Sequence, residues 1–257
     1  MHQKNEFQGD SGYHGSVLSF ARNIMNRSCL RLLLAFALVL SVPLSAIGEP
    51  ACSIAVPVHG HCEIAISELH PTQPSIGLMQ VEERVIRMKH GIDGVTYTSK
   101  RPVPVVQGPD GSFYVTDGHH LVSTLLRVGT SKVMADIIGR FDNPRTFWGE
   151  MQNRHWVYLH DAKGNSIPPS ALPKHFSDLQ DDPYRALAGY AESAGYFHRS
   201  DVYFAEFYWA RYFGEKMDWQ PVDRLNLLAA LHSAEKLACL PEASKLPGYA
   251  GPCPSGH

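Results

Sequence analysis

The sequence predicts an α/β (α+β) fold, a small mixed-sheet unit followed by a mainly helical, aromatic-rich C-terminal region. Three observations point there. Between residues 63 and 138, short apolar runs separated by Gly and Pro alternate with two segments of helical period. Phe141-Asp142-Asn143-Pro144 then breaks the pattern. Beyond that break aromatic residues become dense, and the apolar spacing is helical over 185–195, 200–213 and 222–240.

The elements follow in order. Glu63-Ile64-Ala65-Ile66 alternates like a strand, and His70-Pro71-Thr72-Gln73-Pro74 is an extended connector marked by its prolines. Leu78, Val81, Val85 and Met88 share one face of a helix predicted over Leu78 to Lys89, with Gly91 as its stop. Val103 to Gln107 and Ser112 to Thr116 are two strands joined by the turn Gly108-Pro109-Asp110-Gly111. After Asp117-Gly118, residues Leu121, Val122, Leu125 and Leu126 give a second helix closing at Gly129. Lys132 to Ile138 is a further strand. In the C-terminal region Ser200-Asp201 is the expected cap of the middle helix. The run Tyr203 to Trp209 reads as a face packed onto the α/β unit, with a ligand groove as the alternative.

The first 48 residues have a different purpose. Arg27 and Arg31 precede the uncharged run Leu32 to Leu44, and Ala46-Ile47-Gly48 follows with small residues where a signal peptidase cuts. The apolar run is short for a bilayer and contains Pro43, so a cleaved signal over residues 25–48 is preferred to a tether, with no permanent span afterwards. The expected organisation is a leader and signal peptide (1–48), an α/β unit (49–140) and a helical region (141–257), with the product periplasmic or secreted. Cys52, Cys62, Cys239 and Cys253 remain in the mature chain, an even number suited to disulfides in an oxidising compartment. Sequence proximity favours Cys52–Cys62 and Cys239–Cys253. His59-Gly60-His61-Cys62 has a metal-like texture, but no second His or Cys cluster matches it. Removing the leader's four Lys/Arg and two Asp/Glu leaves 19 basic against 23 acidic residues, so contact with nucleic acid needs a local patch.

The residues best placed for chemistry are Thr116-Asp117-Gly118-His119-His120. A strand ends there, glycine turns the backbone, and a helix begins with its first N–H groups unpaired. Such a helix start attracts anions, above all phosphate. His119 and His120 are candidate acid, base or phosphate donors, and Asp117 can orient one of them or hold a cation. Capping by Asp117 beside two idle histidines is the plain alternative.

Val115 to His120, with the apolar helix and strand that follow, resembles the core of the ParB/sulfiredoxin superfamily. Pro71-Thr72-Gln73-Pro74-Ser75 resembles the proline- and glutamine-containing box of ParB-type proteins, and Val103-Pro104-Val105-Val106 their intervening strand. The resemblance covers about Ile64 to Gly139, and the continuation is similar to exported ParB-like nucleases. It implies phosphate binding at Gly118, Gln73 and Ser75, where the candidate catalytic residues His119, His120 and Asp117 read above would act. His119 stands where sulfiredoxin-like proteins carry a catalytic cysteine, which argues against that repair chemistry. Leu121 and Ser75 replace two expected arginines, leaving Lys100, Arg101 or Arg127 to compensate. Glu68 joins Asp117 and His119 as a candidate ligand for a divalent metal ion, while Glu82 and Glu83 fit a polar helix face. The expected function is a nuclease or phosphodiesterase acting on a phosphate-containing ligand such as nucleic acid. A non-catalytic binding protein and a nucleotide-dependent phosphotransferase are the alternatives.

Overall fold

The computed structural model describes residues 49–88 and 90–253. The predicted signal peptide therefore lies outside the described residues. Five strands form a curled mixed sheet: β1 (His61–Ala65), β2 (Leu69–Pro71), β4 (Val103–Gln107), β5 (Phe113–Val115) and β6 (Lys132–Arg140), in the order β1-β6-β4-β5-β2. The pairs β1–β6 and β4–β5 are antiparallel, while β4–β6 and β2–β5 are parallel. A separate two-strand ladder joins β3 (Ser75–Ile76) to β7 (Gln180–Asp181). The described residues hold seven α-helices: α1 (Leu78–Arg87), α2 (Gly94–Thr98), α3 (His119–Arg127), α4 (Phe147–Asn153), α5 (Pro183–Ser193), α6 (Ala205–Lys216) and α7 (Leu227–Ala238).

Alternation along the strands decides what each face buries. Val103 and Val105 of β4 join Val81, Val122, Leu125, Val133 and Ile137 under α1 and α3. Val106 turns the other way, into a smaller core with Phe147, Met151, Val157 and Leu159. A register shift between Val105 and Val106 lets β4 serve both. Complete burial of Leu125 and Ile137 contributes roughly 1.5–3 kcal/mol each. A third core lies among the C-terminal helices, where Phe197 stacks on Trp209 at 4.3 Å above Phe213, Ala230 and Ala234.

Small residues bring the helical region against α1. A side chain at Gly77 would strike the Ala186 backbone, and one at Gly189 would strike the Gln80 amide. These two glycines let α5 lie close to α1 and bring its first turn near α3. The disulfides Cys52–Cys62 and Cys239–Cys253 join the pairs expected from proximity, with Cα separations of 4.9 and 5.0 Å. Trp209 Nε1 donates to Pro247 O at 2.7 Å, a second hold on the C-terminal segment.

Several expectations are corrected. The connector at 70–74 contains the end of β2, which pairs with β5 in register Pro71↔Val115. The helix expected from Ser200 begins at Ala205, because Phe204 adopts a left-handed conformation with φ 60°. Ser200 Oγ instead accepts from Val202 N at 3.1 Å, a local turn that competes with capping. Asp182 is the N-cap of α5, accepting from Arg185 N at 2.8 Å, with Pro183 in the first turn. The aromatic run does not form the expected face on the sheet. Trp209 is fully buried among the C-terminal helices rather than on the sheet, while Tyr203, Phe204 and Phe207 line a cavity.

Candidate functional site

The junction from β5 to α3 forms the floor of a cavity of about 750 Å³. Gly118 makes the turn at φ 86°, a conformation glycine reaches without a Cβ penalty. Its N–H is held by Asp117 Oδ1 at 2.6 Å, and its carbonyl accepts from Val122 N at 3.0 Å. The N–H groups of His119, His120 and Leu121 are left at the start of the nine-residue α3, without partners in the helix. They and the helix dipole favour an anion.

The two histidines have different roles. His119 is buried, and its Nε2 accepts from Thr72 N at 3.0 Å. That bond places the ring proton on Nδ1 and keeps the imidazole neutral. Burial, then the positive Arg185, lowers its pKa to about 3. Thr72 is a crossing point: its hydroxyl donates to Val115 O at 2.6 Å, and its carbonyl accepts from Tyr158 N at 2.8 Å. His119 therefore ties β5, the Thr72 segment and Tyr158 together. His120 has no such duty. Its Nε2 is buried without a partner, and its pKa is held well below the ordinary histidine value by burial and then by Arg185 and Arg84.

Arg185 was not legible as a site residue. It enters from the first turn of α5, is 9 % exposed, and lines the cavity with its Nε buried and unpartnered. One Nη2 donates to Glu206 Oε1 at 3.1 Å, and the guanidinium lies 5.2 Å from the Phe207 ring centre. Arg84 of α1 lines the same cavity. Arg84 and Arg185 thus bring to the α3 start the positive charge that Leu121 and Ser75 cannot supply. The signal for Arg185 was Asp182-Pro183, a helix start that fixes its neighbour three residues on.

The other expected residues divide cleanly. Asp117, Gly118, His119, His120 and Gln73 line the cavity together. Gln73 Nε2 is engaged by Ser75 O at 2.7 Å. Ser75 is buried in β3 and absent from the lining, although its Oγ has no partner. Lys100 and Arg101 are exposed between α2 and β4 and do not line the cavity, and Arg127 is exposed at the far end of α3. Glu68 is exposed and also outside the lining, Glu82 pairs with Arg224 at 2.6 Å and Glu83 with Arg87 at 2.7 Å.

The proposed metal trio does not converge. Glu68 lies apart, and the Nε2 lone pair of His119 is taken by Thr72. Among the described residues, no group of three His, Cys, Asp or Glu side chains is placed to hold an ion. The cavity's acids are Asp117, Glu192, Asp201 and Glu206, of which Glu192 has its pKa raised by burial and then by Glu206.

Comparison with known proteins agrees with this architecture. The family described as "Putative ParB-like nuclease" matches residues 62–215, from β1 to α6. A solved structure, the crystal structure of protein Atu1540 from Agrobacterium tumefaciens, is 34% identical with a TM-score of 0.65, covering 74% of this chain and 98% of that one. No curated protein matches. By the span of the family match and the shared fold, the chain belongs to the ParB-like nuclease family.

Proposed function

We propose that the protein is a phosphodiester hydrolase that works outside the cytoplasm, with its site at the start of α3. The observation that carries this reading is a convergence. The α3 N-terminus, His120 and Arg185 line one cavity, and His120 Nε2 and Arg185 Nε are buried without partners. Burial first, and then the charges of Arg185 and Arg84, lower the pKa of His120, and a phosphate held by the helix N–H groups, Arg84 and Arg185 offsets the charge contribution. His120 then takes a proton from water as the water oxygen bonds to phosphorus. The ester P–O bond breaks, and the same proton passes to the leaving oxygen. Arg185 stabilises charge on the phosphoryl oxygens. His119 acts by positioning, since its Nε2 is committed to Thr72.

Export is supported by the leader's sequence pattern, and the two disulfides are compatible with an oxidising compartment. N-terminal sequencing of protein from the secreted or periplasmic fraction should begin near Glu49. A cytoplasmic product retaining residues 25–48 would reverse this part.

The catalytic part is tested with the purified protein on bis-(p-nitrophenyl) phosphate and on a single-stranded oligonucleotide. His120→Ala and Arg185→Ala should each lower kcat/KM by about 100-fold or more, with circular dichroism unchanged. Wild-type rates in His120→Ala would overturn the site. A non-catalytic binder is the second reading, favoured by the commitment of His119 to Thr72. It predicts phosphate binding that needs Arg185, with no turnover.

A further inference from the structure

We infer that the cavity holds a single nucleotide unit bearing one phosphate, with its base stacked on the free face of Tyr203. This rests on the phosphate cradle described above and adds the class of ligand.

The polar atoms least supplied with partners, His120 Nε2 and Arg185 Nε, are buried, and α5, α6 and the loop at 199–204 wall the cavity that His120 and Arg185 line. A phosphate inside a rigid duplex cannot reach such a floor, whereas a free nucleotide or the end of a single strand can enter. The cavity volume of about 750 Å³ lies in the range of small-molecule sites, roughly 300–1,000 Å³.

The lining carries three arginines (Arg84, Arg185 and Arg199) against four carboxylates (Asp117, Glu192, Asp201 and Glu206). Arg185 is already paired with Glu206. Such a surface accepts one phosphate at the α3 start and repels further negative charge. A triphosphate or an internal stretch of nucleic-acid backbone is therefore disfavoured.

The aromatic residues of the lining differ in what covers their faces. Phe207 lies between Arg185 and Tyr158, the latter at 4.1 Å between ring centres. Phe204 also packs on Tyr158, and Trp156 carries Arg154 at 5.2 Å. Tyr203 is different. One face stacks on His155 at 4.8 Å and 14°, yet the residue is 57 % exposed and lines the cavity. A planar base added there extends an existing stack, and base–aromatic stacking tolerates any base.

Calorimetric titrations with AMP, ribose 5-phosphate, ATP and inorganic phosphate test this. AMP should bind about 10-fold tighter than ribose 5-phosphate, and ATP more weakly than AMP. Tyr203→Ala should remove the AMP advantage and leave ribose 5-phosphate unchanged, while Tyr203→Phe should retain it. A 5′-phosphorylated single strand binding as well as AMP identifies a strand end as the source, and weaker binding identifies the free nucleotide. Equal affinities for AMP and ribose 5-phosphate in the wild type would overturn the base site alone. No binding of any phosphate would overturn the cradle and this inference together.

Discussion

The floor of the cavity, where β5 passes through Asp117-Gly118 into α3, is held differently from the wall opposite, formed by the 199–204 loop and the start of α6. On the floor the framework around Thr72 and Gly118 is fixed by hydrogen bonds, Thr72 to His119, Thr72 to Val115 and Asp117 to Gly118, while His120 Nε2 is left without a partner. On the opposite wall Ser200 Oγ receives a single local bond from Val202, and Tyr203 leans on His155. Both His155 and Phe204 have positive φ, 56° and 60°, unusual for side-chain-bearing residues. The floor is part of the core's hydrogen-bond accounting, whereas the wall is a surface held chiefly by contact. Changes on the floor should therefore register in stability first, and changes on the wall in ligand affinity.

The largest effect is expected at His119. His119→Ala leaves the Thr72 amide buried without an acceptor and opens a space beside Phe176, whose ring centre is 5.7 Å from the imidazole. The combined cost is about 3 kcal/mol, measurable by urea unfolding. The same residue gives a signed pH dependence. Its folded pKa, about 3, lies below the ordinary 6.5, so the unfolded chain binds more protons between these values. The stabilisation is complete above pH 6.5 and is lost as pH falls towards 3. Asp182 opposes it in part of the window, because burial pushes its pKa up to about 6, which favours the folded state at lower pH. Subtracting the His119→Ala profile from the wild type isolates the histidine. A difference that does not shrink between pH 6.5 and 4 would show that His119 is not held neutral by the fold.

The same contrast explains what could be read from the chain. The floor was legible because it is local. Thr116 to His120 spans a strand end, a glycine turn and a helix start in consecutive residues, each with its own signal. The strands β4, β5 and β6 were legible through alternation, and the disulfides through proximity. Two-residue strands such as β3 and β7 have no period to read. Arg185 and Glu192 reach the floor only because Gly77 and Gly189 let α5 approach α1, a three-dimensional fact carried by single small residues. Lys100 and Arg101 misled because, although β4 starts beside the end of β5, both side chains are exposed and outside the cavity lining. Ser200-Asp201 misled because serine and aspartate satisfy turns as readily as helix caps.

The smallest expected effect is the sharpest test of the contrast. His155→Ala and Tyr203→Ala each delete half of an exposed stack. Aromatic pairs contribute roughly 0.5–1.5 kcal/mol beyond their contact area, an exposed pair standing at the low end, and alanine at position 155 meets the same positive-φ penalty as histidine. Each substitution should change unfolding free energy by no more than about 0.5 kcal/mol, the range of ordinary surface changes. The double substitution should cost no more than the sum of the two singles, because the removed pair has no other shared partner in the core. A loss of about 2 kcal/mol in either single variant would mean that the wall is a structural prop rather than a ligand face. The floor and the wall would then be one material, and Tyr203 would lose its claim to a base. A neutral result leaves an exposed aromatic stack lining the cavity of the proposed phosphate site with no structural duty to explain it.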